Sequence, residues 1–287
     1  MSKLFNKRDI IIAAGVLLAL MIVGSFFDYQ ISCALFDMSN VFGIAFAVFG
    51  ELPAMIGLTV AGVLLLKFRN KDKKAIMVMQ IFFGALLVIY GTASTLIPQV
   101  LNVKWNMAVM IAIAVMLNAC AILAVCKITQ DTDRKTAIRV AISLIISIFA
   151  IMIVINIIKV PWARPRMRLI ASNQDAIYQP WWVVGSGLKE TLVAAGAAAE
   201  DFKSFPSGHT SNAVNLVLLV LFSKLNVKLE NKKSLLFYIG FVWALIVALS
   251  RIIMGAHFLT DTVVGIAIGL LICVLVSSLV FKKDSKI

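Results

Sequence analysis

Long stretches of uninterrupted apolar residues alternate along the chain with short polar breaks. Eight apolar runs stand out, at about 9–27, 51–68, 75–97, 105–126, 137–159, 207–223, 234–254 and 257–280. A helix needs about 20 such residues to cross the hydrocarbon core of a bilayer. Each run reaches or approaches that length, and tilt or snorkelling absorbs the shortfall of the shortest. Apolar residues follow one another continuously instead of alternating, which predicts helices and argues against the strands of a membrane barrel. The expected fold is therefore all-α, a polytopic membrane helix bundle of about eight transmembrane helices. The first run follows Lys3, Lys7 and Arg8, as in a signal peptide. It is long, and Gly24–Asp28 offers no small-x-small cleavage site, so it is expected to be a retained helix.

Composition supports the pattern. Hydrophobic residues make up 61% of the 287 residues and charged ones 14%, against about 25% charged in a soluble domain. The mean hydropathy is +0.99. The four cysteines, Cys33, Cys120, Cys126 and Cys273, show no CxxC spacing. They are expected to be small packing residues, with neither a disulfide framework nor a metal site.

The net charge of +13 is unevenly distributed. With the N-terminus in the cytoplasm and sides alternating through eight spans, 19 of the 27 basic residues fall inside, in the stretches around Lys3–Arg8, Lys67–Lys74, Lys127–Arg139, Lys224–Lys233 and Lys282–Lys286. The other eight are Lys104, Lys159, Arg164, Arg166, Arg168, Lys189, Lys203 and Arg251. Net charge then sums to +13 inside and zero outside, a strong positive-inside signal that predicts both termini in the cytoplasm. Charge divided among short juxtamembrane loops suits anionic lipid headgroups better than nucleic acid, which is not expected as a partner. Seven of the eight outer basic residues lie between 159 and 251. Lys159, Arg166 and Arg251 sit at span ends, where a charge needs a partner or a water-filled site.

The chain is expected to divide into accessory membrane helices, 1–136, and a catalytic helix bundle, 137–287, that holds every chemical cluster. An amphipathic run from Val41 to Phe49 is expected to lie along the membrane surface. The segment 160–206 is long enough to be functional, for instance as a lid. A short helix is expected near 187–200, and Trp162, Trp181 and Trp182 are read as interfacial anchors. Gly265 and Gly269 form a GxxxG match expected to serve packing within the molecule, and Asn118 is expected to hydrogen-bond between helices.

Only two histidines occur, His209 and His257, and each lies in a tight polar cluster. Three clusters follow in chain order at the expected outer face. Lys159 with Arg164 and Arg166 comes first, then Pro206-Ser207-Gly208-His209, then Ser250-Arg251 with His257 and Asp261. Lysine and arginine donors suit phosphoryl oxygens. Pro-Ser-Gly ahead of a helix offers free N–H groups to an anion, and Gly208 lets the backbone approach it. On one helix His257 and Asp261 share a face. The carboxylate can then hold one ring nitrogen and leave the other as a nucleophile. His209 remains to protonate a leaving oxygen. Two histidines on different helices and one aspartate are a thin metal-ligand set, and there is no HExxH and no P-loop.

These clusters resemble the three signature motifs of the type 2 phosphatidic acid phosphatase superfamily, membrane lipid phosphatases related to vanadium haloperoxidases. The second and third match in full. In the first, Lys159 and Arg166 keep the spacing, but Met167 stands where a proline is expected, and Arg164-Pro165 supplies an Arg-Pro pair two residues early. Arg166 is favoured as the phosphate ligand and Arg164 is the substitute. The resemblance covers about 137–280. It implies that His257 becomes phosphohistidine, that Asp261 orients it, and that His209 is the general acid. Lys159, Arg166, Ser207, Gly208 and Arg251 would hold the phosphate, with no metal or cofactor. Undecaprenyl pyrophosphate, phosphatidylglycerophosphate and phosphatidic acid all fit as substrates. The first ranks ahead because its pyrophosphate is dephosphorylated on the outer face of bacteria, which implies a bacterial plasma membrane and an extracytoplasmic site. The rival readings are a phosphotransferase using the same site with a lipid or alcohol acceptor, and a catalytically silent transporter or scaffold. Against the last, none of His257, Asp261 and His209 is lost.

Overall fold

In lipid every backbone polar group must be satisfied within the protein, so continuous apolar runs become helices. The computed structural model describes residues 4–96 and 106–282. Lys3, Lys104, Lys283 and Lys286 of the charge map lie outside the described residues. The helices are α1 (Lys7–Leu35), α2 (Val41–Phe49), α3 (Leu52–Lys67), α4 (Lys74–Ser94), α5 (Met107–Ile128), α6 (Arg134–Trp162), α7 (Met167–Ser172), α8 (Lys189–Ala194), α9 (Gly208–Ala213), α10 (Phe222–Leu225), α11 (Lys233–Ile253) and α12 (Leu259–Lys282). There are no strands among the described residues.

Seven helical segments of the described residues are long and apolar enough to cross a membrane. The remaining expected span, 207–223, is helical from Gly208 onward but not uniform. α9 passes into a 3₁₀ helix, Val214–Leu221, and then into α10. A 3₁₀ helix rises about 2.0 Å per residue against about 1.5 Å for an α-helix, so this short segment extends about 31 Å, enough for a hydrocarbon core of about 30 Å. The run Val41–Phe49, expected on the membrane surface, instead continues through Gly50 and Glu51 into α3, and α2 packs against α11.

Small residues let the helices approach closely. A Cβ on Gly62 would lie 2.6 Å from the Gly84 carbonyl, and one on Gly91 would lie 2.5 Å from Thr59 Oγ1, which fixes the α3–α4 crossing. Asn118 accepts from Thr59 Oγ1 at 2.6 Å and donates to Thr95 Oγ1 at 3.3 Å, joining helices as expected. The GxxxG pair packs within the molecule. A Cβ on Gly265 would lie 2.5 Å from the Ser207 carbonyl and one on Gly269 2.9 Å from that of Ser211, so α12 presses on α9. Of the cysteines only Cys273 is packed inside; Cys33, Cys120 and Cys126 are exposed on the flanks of the bundle.

Loops meet in two groups. At one end Lys67 donates to Thr129, Thr132 to the Leu225 carbonyl, and Asn226 to the Ile128 carbonyl. At the other, the Asp37 N–H donates to the Ile253 carbonyl and that of Arg168 to the Gly255 carbonyl. All three chemical clusters lie at this second end. The segment 160–206 has structure of its own. It carries α7, α8 and a 3₁₀ turn (Ala199–Phe202), held around Leu169, Ala176, Leu192 and Phe202. Two of its three tryptophans are tied inward, while Trp182 is exposed. Trp162 Nε1 donates to the Trp181 carbonyl at 2.6 Å and Trp181 Nε1 to Ser25 Oγ at 3.0 Å. Both indoles stack on Phe205, next to the second motif.

Candidate active site

The ends of four helical segments converge here. Pro161, inside the last turn of α6, has no N–H to give the helix, which ends one residue later, and Ala163 adopts a left-handed conformation at φ +47°, so the chain turns away before Arg164. Residues 164–166 are then pinned by backbone bonds. The Arg164 carbonyl accepts from the Ser204 N–H at 3.0 Å, and the Arg166 N–H donates to the Asp201 carbonyl at 2.7 Å. Ser207 caps α9, its Oγ accepting from the Thr210 N–H at 3.4 Å, while its own N–H donates to the Asp261 carbonyl at 2.9 Å. The first and second motifs meet where a Cβ on Gly208 would lie 3.5 Å from Lys159 Nζ.

His257 lies in the turn between α11 and α12. Gly255 makes that turn possible, at φ +58° with Phe36 and the Arg168 N–H closing over it. The turn corrects one expectation: α12 begins at Leu259, so His257 precedes the helix and is not stacked on it above Asp261. Its Nδ1 lies 2.6 Å from the Ser204 carbonyl and 4.0 Å from Asp261 Oδ2. The carbonyl, which can only accept, fixes the proton on Nδ1 and leaves Nε2 with its lone pair. Asp261 acts one step back. Its Oδ2 accepts from Ser204 Oγ at 2.5 Å and from the Phe258 N–H at 2.8 Å, holding both the residue that grips the ring and the turn that carries it. Burial first, then the charges of Lys159, Arg166 and Arg251, hold the His257 imidazole well below its ordinary pKa, so the ring stays neutral.

Arg164, the substitute phosphate ligand of the sequence reading, is fully buried with all five N–H donors used. Nε donates to the Gln179 carbonyl, one terminal nitrogen to Thr260 Oγ1 and Asp261 Oδ1, and the other to Asp28 Oδ2 and Tyr178 Oη. Its guanidinium also lies 4.3 Å from the Phe258 ring centroid. No donor remains for a substrate, and the side chain instead clamps Asp261 against Asp28 of α1.

Arg166 and Arg251 differ in this respect. Both are largely buried, and the Nε of each has no hydrogen-bond acceptor among the described residues. Arg166 has only a distant ion pair with Glu200, at 3.9 Å. Buried guanidinium donors without acceptors are rare, and an oxyanion is the ligand that would satisfy them. With Lys159 and the N–H groups of the first turn of α9, which have no intrahelical acceptor, they form a cationic bowl beside His257. His209 stands at its rim, its side chain 30% exposed, with Nε2 3.7 Å from Glu51 Oε2. The Ser207 hydroxyl is occupied by capping, which leaves its part in anion binding to the backbone beside it.

Sequence reasoning missed four contributors. Asp28 and Glu51 are acids at the edges of apolar runs in the first half of the chain, and that placement was the available signal. Ser204 and Thr260 carry no motif signal, because one acts largely through its backbone carbonyl and the other through contacts set only by folding.

Comparison with known proteins reaches the same half of the chain. Residues 140–285 match the family model described as PAP2 superfamily. Over 79 residues the chain is 40% identical to a phosphatidylglycerophosphatase B of Bacillus subtilis, covering 27% of this chain and 39% of that protein. Over 70 residues it is 40% identical to a lipid A 4'-phosphatase of Porphyromonas gingivalis, covering 24% of this chain and 26% of that one. The chain thus spans well under half the length of these curated relatives. No solved structure matches it.

Proposed function

Because this chain belongs to the PAP2 superfamily, we propose that it is an integral-membrane lipid phosphatase whose site removes a phosphate from the headgroup of a membrane lipid. The observation that carries this reading is the pair of buried guanidinium Nε groups, of Arg166 and Arg251, with no acceptor among the described residues, beside a neutral His257 whose Nδ1 is held by the Ser204 carbonyl.

In the proposed mechanism, Lys159, Arg166, Arg251 and the N–H groups of Gly208 and His209 bind the phosphoryl oxygens. His257 Nε2 attacks phosphorus, forming an N–P bond as the P–O bond to the leaving group breaks. His209 gives that leaving oxygen its proton. Water then attacks the phosphohistidine, passing a proton to His209, and the N–P bond breaks to release inorganic phosphate. The positive charge formed on His257 is stabilised through Nδ1 by the Ser204 carbonyl and the nearby Asp261 carboxylate. The cationic groups offset charge on the pentacoordinate phosphorus, so the mechanism routes no step through a metal.

The charge map supports an extracytoplasmic site, because the basic loops gather at the opposite end of the bundle. For substrate, the two relatives' names point to phosphatidylglycerophosphate and to the 4'-phosphate of lipid A. Undecaprenyl pyrophosphate and phosphatidic acid present the same phosphoryl group on an apolar anchor. The test is phosphate release in detergent micelles from these lipids, by wild type and His257→Ala, with EDTA present. The reading predicts release from at least one lipid by wild type and loss of at least about a hundredfold in the variant. Unchanged release by the variant contradicts the mechanism, and no release from any lipid contradicts the phosphatase reading. Transfer of phosphate to an added alcohol in place of full stoichiometric release would favour the phosphotransferase alternative.

A further inference from the structure

We infer that Glu51, from the helices that precede the family match, is a positioning residue that sets the protonation and orientation of His209. Its carboxylate Oε2 lies 3.7 Å from His209 Nε2, while Oε1 accepts from Asn212 Nδ2 at 2.8 Å. His209 and Asn212 are three residues apart on α9 and so share a face. One carboxylate therefore grips the helix at Asn212 and flanks the imidazole at His209.

The backbone around Glu51 supports this placement. Glu51 is the N-cap residue of α3, where a carboxylate would ordinarily accept from its own helix's free N–H groups. Its side chain makes no such bond and reaches α9 instead. The preceding residue is fixed from α11, with Trp243 Nε1 donating to the Gly50 carbonyl at 3.0 Å. A Cβ on Gly50 would lie 3.0 Å from Val247, so the chain there runs close against α11. Glu51 is thus aimed at the site from an otherwise apolar stretch, at the cost of capping its own helix.

The electrostatic surroundings explain the need for it. Besides Glu51, His209 faces the positive groups Lys159, Arg166 and Arg251, with His257 close by. The three cations disfavour an imidazolium. Glu51 is the neighbouring carboxylate that favours it, with Oε2 3.7 Å from the ring. A general acid must carry its proton when the phosphate arrives. The assignment rests on the reading of His209 as that acid and extends it to the first half of the chain, tying the early helices to catalysis.

The test uses full-length protein in detergent micelles. In Glu51→Gln the amide oxygen can still accept from Asn212, so the change removes charge more than shape. For a lipid phosphomonoester, whose alkoxide leaving group requires a proton, kcat at neutral pH should fall about tenfold. The alkaline limb of its pH profile should move down by about one unit. For 4-nitrophenyl phosphate, whose leaving group departs without protonation, the fall should be less than about threefold. Glu51→Asp should recover part of the lipid activity. An unmoved alkaline limb, or equal losses on both substrates without recovery in Glu51→Asp, overturns the assignment and leaves the phosphatase reading standing. If His209→Ala keeps wild-type kcat on the lipid, the reading of His209 as the acid falls, and this assignment falls with it.

Discussion

Asp28→Asn tests the buried clamp behind the proposed nucleophile, His257. In the wild type, Asp28 Oδ2 accepts from Arg164 at 2.9 Å and also from Thr260 Oγ1, while Oδ1 accepts from the Thr260 N–H at 2.9 Å. An amide keeps one acceptor and turns the other into a donor. The less costly orientation points its nitrogen at the Thr260 N–H, losing that bond and setting donor against donor. Arg164 also loses one of its two counter-charges inside the protein, where both side chains are fully buried. A lost hydrogen bond to a charged group costs about 1.5–3 kcal/mol, and unbalancing a buried ion pair costs about 3–5 kcal/mol when a partner is removed outright. Since the amide retains part of the contact, we expect about 3 kcal/mol in total. At roughly 2 °C per kcal/mol for a chain of this size, the Tm in micelles should fall by about 6 °C. Asp175→Asn, on the exposed loop, is the control and should stay within about 0.5 kcal/mol of wild type. A thermal shift followed by tryptophan fluorescence reads both. An Asp28→Asn Tm within 1 °C of wild type (far below the ~6 °C expected) would refute the reasoning, because the clamp would then contribute nothing to the fold.

Three further outcomes follow from the site. Arg166→Ala should cost at least about tenfold in kcat/KM with little change in Tm, whereas Arg164→Ala should lower Tm by more than Asp28→Asn because it strands two buried carboxylates; matched Tm and kinetic measurements separate the two arginines. The low pKa of His257 means its neutral form persists in acid, so the acid limb of kcat/KM assigned to His257 should lie well below pH 6.5. Folding pays the reverse. The unfolded chain takes up a proton below about pH 6.5 that the folded one refuses, so this residue's contribution lowers stability as pH falls through that value and vanishes above it.

The helical bundle was legible because a bilayer forces a simple rule on apolar runs, and long uninterrupted runs leave little choice of structure. The segment after Pro206 was found as a span, but its 3₁₀ middle was not. That segment packs closely on its neighbours, among them Gly240, where a Cβ would lie 2.3 Å from the Val217 nitrogen, and such contacts are set only by folding. The three clusters were legible because their chemistry is concentrated in a few polar residues of an apolar chain. The jobs of individual residues were less so. Arg164 and Arg166 are two positions apart and chemically alike, and only burial separates the clamp from the free donor. Asp261 Oδ2 lies 4.0 Å from His257 Nδ1, but its path to the ring through Ser204 depends on a turn that spacing does not reveal. Asp28 and Glu51 reach the site across more than a hundred residues of sequence, where no periodicity could connect them.

The central claim is that His257 itself carries the phosphoryl group. Brief incubation with a lipid labelled in its phosphate, followed by alkaline quench and peptide mapping, tests it directly. The account predicts acid-labile, base-stable label on the peptide containing His257, absent in His257→Ala and accumulating when hydrolysis is slowed. Phosphate release at full rate without label on that peptide, or label that persists elsewhere in His257→Ala, would contradict it.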